Sequence, residues 1–298
     1  MDGKNYVTPV KFQNPFGSCW GFAVTTAAET SILTALGFSY DKDAKPLEET
    51  GIKGVENKKT NLDLSEHHIA WFAGTALPLD DASGQGGEGV YSLEDGLHPM
   101  DFGGATYFGT STYGCGMGPV YESMFPYQPK DATNPDNIVQ RDVDDGTGST
   151  VKENFYYSSK ADWSIDEKDR FSIIAELDES AVLPSPAPLQ DGSLNETAID
   201  AIKGELVKGR AVSIAFCADS YRPEQVSDES KKPTYINTDT WAHYTYDGPE
   251  VPDAGANHAV TIVGWDDNYS KSNFLDSSKN PKAVQPPGDG AWIVKNSR

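Results

Sequence analysis

Three residues of this chain have types and neighbours that suit nucleophilic chemistry: Cys19, His258 and Asn296. Cys19 closes the segment Gln13-Asn14-Pro15-Phe16-Gly17-Ser18-Cys19 and opens a run, Trp20, Phe22, Ala23, Ala27, Thr30, Ile32, Leu33 and Leu36, whose spacing is helical. A cysteine in the first turn of a helix lies at the positive end of the helix dipole, beside backbone N–H groups that no helical carbonyl uses. Both effects favour thiolate, the nucleophilic form. A free cysteine that merely packs in a core is the ordinary alternative, and this segment alone leaves the two readings even. The proton partner must come from five histidines. His67 and His68 stand at a polar helix start and His98 in a Gly-rich loop, where surface positions are expected. His258 instead begins the apolar stretch Asn257-His258-Ala259-Val260-Thr261-Ile262-Val263-Gly264-Trp265, so a rigid strand can present its ring to a cleft. A satisfied structural histidine is the competing reading. Asn296, at the end of Ala291-Trp292-Ile293-Val294-Lys295-Asn296, can orient an imidazole without adding charge.

The elements that must position these residues follow from local signals. A helix is predicted from Ser18 or Cys19 to Leu36, with Gly37 as its stop. A short helix follows Asp63-Leu64-Ser65-Glu66, capped by Asp63 or Ser65, and another begins after Gly103-Gly104 and ends near Tyr113. Residues 38 to 61 read as charged and irregular, and 78 to 100 as a Gly- and Asp-rich loop. From Gln128 to Leu194 the chain is acidic and rich in Pro, Gly and Ser, with a strand-like stretch at 154–158 and an amphipathic one near Phe171–Leu177. Asn195-Glu196 caps a helix through Ile199, Ile202 and Leu206. Strands are expected at Ala211–Phe216, His258–Trp265 and Ala291–Asn296. Helices dominate the first half and strands the second, which is the pattern of an α+β protein with a helical and a sheet lobe.

Composition narrows the function classes. The 298 residues carry a net charge of -21, from 45 acids against 24 bases, which disfavours nucleic acid and anionic membrane surfaces. Three cysteines, Cys19, Cys115 and Cys217, cannot make a disulfide framework, and a single Cys115–Cys217 bridge stays open. No apolar run reaches transmembrane length. Asp142-Val143-Asp144-Asp145-Gly146 resembles the start of a calcium loop and Glu153 falls at its twelfth position, but Thr147 replaces the required Gly at the sixth. A solvated acidic loop is the expectation there. The start Met1-Asp2-Gly3-Lys4-Asn5 is not a signal peptide, and the abrupt end inside an apolar strand predicts an excised or processed segment truncated at both ends.

Taken in order, these segments resemble the papain-like cysteine peptidases. The resemblance rests on Gln13 six residues before Cys19-Trp20, with Gly17-Ser18 between them and Phe22 beyond, on Asn257-His258-Ala259-Val260 running to Gly264, and on Lys295-Asn296-Ser297. Lesser matches in family order are Leu64-Ser65-Glu66, Gly103-Gly104, Gly118-Pro119-Val120 with Glu122, Pro126-Tyr127, Asn195-Glu196 and Val212-Ser213-Ile214. It covers roughly 7–38, 62–73, 101–128, 194–217, 256–266 and 291–297.

The resemblance implies one two-lobed α+β peptidase domain over 1–298, with a helical lobe at about 13–127, an insertion at about 128–194, a sheet lobe at about 195–298 and the cleft between the lobes. It implies Cys19 as nucleophile, His258 as base, Asn296 as orienter and Gln13 as oxyanion donor, with hydrolysis through a thioester and without metal or organic cofactor. Gly103, Gly104, Ala105, Thr106, Ala215, Ala256 and Asn257 would bind substrate, a peptide or protein. It further implies a secreted or cell-surface protein with a separate propeptide or flanking domains, neither nucleic acid nor membrane insertion being involved. The alternatives are a catalytically weak binding module and an exopeptidase whose cleft an insertion blocks. Three departures stand out. Phe16 occupies the place of a second cysteine, so that family disulfide is missing, and Arg298 stands where the family has Trp. The separation of Cys19 from His258 also exceeds the usual gap of about 130–150 residues, which predicts long inserted loops.

Overall fold

The computed structural model describes residues 3–78, 80, 89, 98–144, 150–186, 189, 193–218, 235–237, 239–245, 255–274 and 284–297, with the side chains of 140–144 and 150–156 left aside. Its longest helix, α1, spans Cys19–Leu36. It ends where Gly37 takes the left-handed conformation (φ 66°), Gly37 N–H bonding Thr34 O and Phe38 N–H bonding Leu33 O at 2.9 Å. Next come β1 (Ser39–Tyr40), α2 (Leu47–Thr50) and β2 (Lys59–Thr60), the two strands pairing in parallel. The stretch read as irregular therefore holds short paired elements.

Helix α3, Glu66–Gly74, starts at Ser65, whose Oγ accepts the His68 N–H at 3.0 Å; of the two expected caps it is Ser65 that acts. Helix α4 is Thr106–Gly114. Both pack on α1. The mostly apolar side chains of these helices and the following loops form three clusters. One gathers Phe16, Trp71, Phe72, Met100 and Trp163, a second Trp20, Val24, Ile69 and Tyr113, and a third Leu33, Phe38, Leu47, Leu62 and Leu64.

In the acidic middle region β3 (Ile138–Asp144) pairs antiparallel with β4 (Thr150–Tyr157). Most of the expected acidic loop thus lies in a strand, and 145–149 fall outside the described residues. The amphipathic stretch near Phe171–Leu177 is not a helix. Phe171, Ile173 and Leu177 are exposed, while Gly118 N–H bonds Ser172 O and Ile174 N–H bonds Pro119 O. Ile174 packs on the cluster around Leu33, and these tertiary contacts hold the stretch without a helix.

Helix α5, Glu196–Val207, is capped by Asn195, whose Oδ1 accepts the Ala198 N–H. It leads to β5 (Val212–Phe216), which with β6 (His258–Asp266) and β7 (Ala291–Lys295) forms an antiparallel sheet in the order β5-β6-β7. The central strand is buried continuously from His258 to Ile262 because α1 lies against it and its flanks are paired. The result is a mixed helix-and-sheet protein in which α1 is the shared wall. No helix among the described residues is long and apolar enough to cross a membrane.

Candidate active site

Cys19 is the first residue of α1, and His258 the first of β6, so the packing of α1 on β6 brings two distant segments together. The Ala259 N–H, next along from His258, points at Cys19 Sγ from 3.4 Å. Asn296 directly follows β7, whose pairing with β6 sets it beside the histidine: His258 Nε2 and Asn296 Oδ1 are 2.7 Å apart. The ring's proton can be assigned from this bond. Asn296 Oδ1 also accepts the Ser297 N–H at 2.7 Å, and a backbone amide can only donate. The atom facing the ring is therefore oxygen, Nε2 carries the hydrogen, and in the neutral ring Nδ1 is the basic nitrogen.

Gln13 is buried and held at every end. Its Nε2 donates to Phe16 O at 3.0 Å, its Oε1 accepts from Ser297 Oγ at 2.8 Å, and its backbone N–H bonds Ser297 O at 2.9 Å. Tyr127 OH donates to Gln13 O at 2.6 Å and lies 2.7 Å from Ser18 Oγ, which pins both ends of the loop before the thiol. Phe16, at the place of the absent second cysteine, is buried and stacks on His98 with centroids 4.1 Å apart.

Behind Asn296 lies a charged cluster that local sequence reading does not find. Lys295 Nζ donates to Thr8 Oγ1 at 2.6 Å and stands 3.6 Å from Glu29, which is wholly buried. Lys11 Nζ lies 2.8 Å from Glu66 and 3.8 Å from Glu29. Burial pushes the Glu66 carboxyl up to about 7, with Lys11 opposing and Glu29 adding to the rise. Burial and the neighbouring Glu66 push Glu122 up to about 8. Burial works against the Lys11 ammonium, yet Glu66, Glu29 and Asp63 hold its pKa above the usual lysine range. The one sequence signal for this cluster was Glu29, an acid inside an apolar helical run.

Two expectations about histidines are corrected. His67 and His68 are not on the surface; they are 4% and 0% exposed. The His67 ring is wedged between Pro126 O and Trp163 O, at 2.8 and 2.7 Å, and His68 Nε2 lies 2.9 Å from Asp169 O. The middle region folds back over α3 and buries both. Burial lowers the His67 pKa and takes His68 down to about 4. Cys115 and Cys217 are free thiols, so the open bridge is not made.

Of the expected substrate residues, Ala105, Thr106, Ala215 and Ala256 line one open cavity of about 2240 Å³, together with Phe216 and Trp241. Gly103, Gly104 and Asn257 are not in that lining, nor are Cys19 and His258. A Cβ on Gly104 would stand 2.5 Å from the Trp20 indole, so this glycine lets the loop lie on the ring. Asn257 exchanges side-chain bonds with Ala218 N and O at 2.8 and 3.0 Å, which ties off the end of β5. Among the described residues no three His, Cys, Asp or Glu side chains converge as ligands for a metal ion.

No family model matches the chain, and no curated protein matches it. Among solved structures it is similar to the cysteine protease and lectin-like domains of Cwp84, a surface layer associated protein of Clostridium difficile, at 22% identity and TM-score 0.44, covering 98% of this chain and 42% of that one. A second structure of the clostridial cysteine protease Cwp84, a variant after propeptide cleavage, gives 21%, 0.44, 98% and 48%. The bromelain protease from Ananas comosus in complex with the E64 inhibitor gives 17%, 0.44, 98% and 78%. The chain spans less than half the length of the first two. These neighbours are described as proteases, but likeness at this level fixes no activity, which must be argued from the site.

Proposed function

We propose that this chain is a thiol-dependent peptidase of papain-like type, with its cleft between the helices around α1 and the β5-β6-β7 sheet. The observation that carries the reading is the meeting of three remote segments: Ala259 N–H on Cys19 Sγ at 3.4 Å, and His258 Nε2 on Asn296 Oδ1 at 2.7 Å. A core has no need to gather a helix-start thiol, an imidazole and its orienting amide in one place.

In the proposed cycle His258 Nδ1 takes the Cys19 proton, and the thiolate forms a bond to the peptide carbonyl carbon. Asn296 keeps the ring in one tautomer through Nε2–H. The second N–H of Gln13 Nε2 and the Cys19 N–H receive the developing oxyanion. As the C–N bond breaks, the His258 proton passes to the leaving amine. Water then attacks the thioester, giving up a proton to His258, and the acid product and free thiol are released. Small side chains at Ala105, Thr106, Ala215 and Ala256 leave room for a bulky apolar group of the substrate. Placement outside the cell, with a propeptide or flanking domains, rests on the family resemblance and belongs to the same proposal.

The test is hydrolysis of fluorogenic peptides, combined with an epoxide thiol inhibitor and mass spectrometry. Hydrolysis that is lost in Cys19→Ser, with label on Cys19 alone, is expected. No hydrolysis and equal labelling of Cys19, Cys115 and Cys217 would overturn the reading.

A further inference from the structure

Asp101 is exposed and is none of the residues assigned to the chemistry, yet its Oδ1 accepts the Gly17 N–H at 2.9 Å. That N–H belongs to the peptide unit joining Phe16 to Gly17. The other end of the same planar unit is Phe16 O, which accepts Gln13 Nε2 at 3.0 Å. One rigid plate thus carries a carboxylate on its donor end and the Gln13 amide on its acceptor end. A charged acceptor strengthens the first bond, and polarisation through the peptide strengthens the second. With Ser297 Oγ on Gln13 Oε1 at 2.8 Å, both ends of the Gln13 amide are held.

Asp101 is itself fixed. Its N–H bonds His98 O at 2.9 Å, and the preceding Met100 is buried with its N–H on His98 Nδ1 at 3.2 Å. The His98 ring stacks on Phe16, the residue that begins the peptide plate. The plate ends at a glycine, whose missing Cβ places little steric bar on rotation, so an outside anchor matters there. Gly17 also faces the 101–103 loop closely, a Cβ on it standing 3.5 Å from Asp101 Oδ1 and 3.8 Å from Gly103 N.

We propose that Asp101 is a positioning residue that sets the oxyanion-binding amide of Gln13 through the Phe16–Gly17 peptide. The inference rests on the peptidase reading of Gln13. Asp101 touches no reacting atom in this role. It also stands where this fold has no disulfide to secure the loop before the thiol.

The test is a double-mutant cycle on the full chain: wild type, Asp101→Ala, Gln13→Ala and the pair, with Asp101→Asn alongside. Peptide hydrolysis gives kcat and KM, and iodoacetamide alkylation of Cys19 reports the thiol by a step that forms no oxyanion. Loss of a whole oxyanion donor costs about 100- to 1000-fold, so misplacing one is expected to cost about tenfold in kcat, with KM and alkylation within about twofold. Asp101→Asn keeps an acceptor and should recover part of the loss; it also serves if Asp101→Ala does not fold. In the Gln13→Ala background, Asp101→Ala should cost under about twofold. Equal losses in both backgrounds, an unchanged kcat, or alkylation falling in step with kcat would overturn the inference while the wild type remains an active peptidase. A wild type that hydrolyses no peptide would overturn the peptidase reading and this inference with it.

Discussion

Replacing Glu122 by glutamine tests the charged cluster behind the site through its pH dependence. Glu122 Oε1 accepts the Tyr127 N–H at 2.7 Å, and Oε2 is buried with no hydrogen-bond partner among the described residues. Its pKa is pushed from 4.5 up to about 8, by burial first and by Glu66 next. Between those values the folded carboxyl keeps a proton that the unfolded chain has lost. The folded state then binds more protons, so stability falls as pH rises through that window. From pH 5 to 7.5 is about 2.5 pH units at about 1.4 kcal/mol each, a ceiling of about 3.5 kcal/mol. Glu66 lies in the same cluster and shares the proton, which brings the expected figure to about 1.5 kcal/mol. A glutamine side chain keeps the acceptor for Tyr127 N–H and cannot ionise. Glu122→Gln should therefore melt close to wild type at pH 5 and about 3–6 °C higher at pH 7.5, by circular dichroism. A difference that does not change with pH, or a less stable variant at pH 7.5, would refute the reasoning.

Other outcomes follow from the same geometry. Lys295→Ala takes from wholly buried Glu29 the nearer of its two cations, leaving Lys11 at 3.8 Å, and should cost about 2–3 kcal/mol in urea unfolding, more than Lys295→Met together with Glu29→Leu. Asn296→Ala should lower kcat by about tenfold or more while KM holds, because the ring loses its 2.7 Å anchor; a change confined to KM would contradict that role. Ala215→Phe narrows the open cavity and should shift a peptide-library profile toward small side chains, with an unaltered profile counting against that cavity as a substrate site. Cys115→Ser should leave hydrolysis within about twofold, since Cys115 is exposed and outside the proposed site, where changes are usually mild.

What the sequence determined by itself is what short-range chemistry dictates. Helix α1 starts at Cys19 and stops at Gly37 because an apolar helical period meets a residue that tolerates the left-handed turn. Ser65 and Asn195 cap their helices because a short polar side chain reaches an N–H three residues on. Strands β5, β6 and β7 were legible because their apolar runs were bounded by polar, Gly-containing loops. Everything that depends on which surface covers which was decided by the tertiary structure. The polar start of α3 gave His67 and His68 a surface reading, and only the docking of Pro126, Trp163 and Asp169 buried them. The amphipathic stretch at Phe171–Leu177 stayed irregular, held through Ile174 and by backbone bonds to Gly118 and Pro119, while β3 found β4. Asn257 turned out to close a strand end, and Asp101, with no motif of its own, reached Gly17 across 84 positions of chain. The meeting of Cys19, His258 and Asn296 is of this second kind. Residue types and order can nominate the three, but their distances exist only because α1 packs on β6 and β7 pairs beside it.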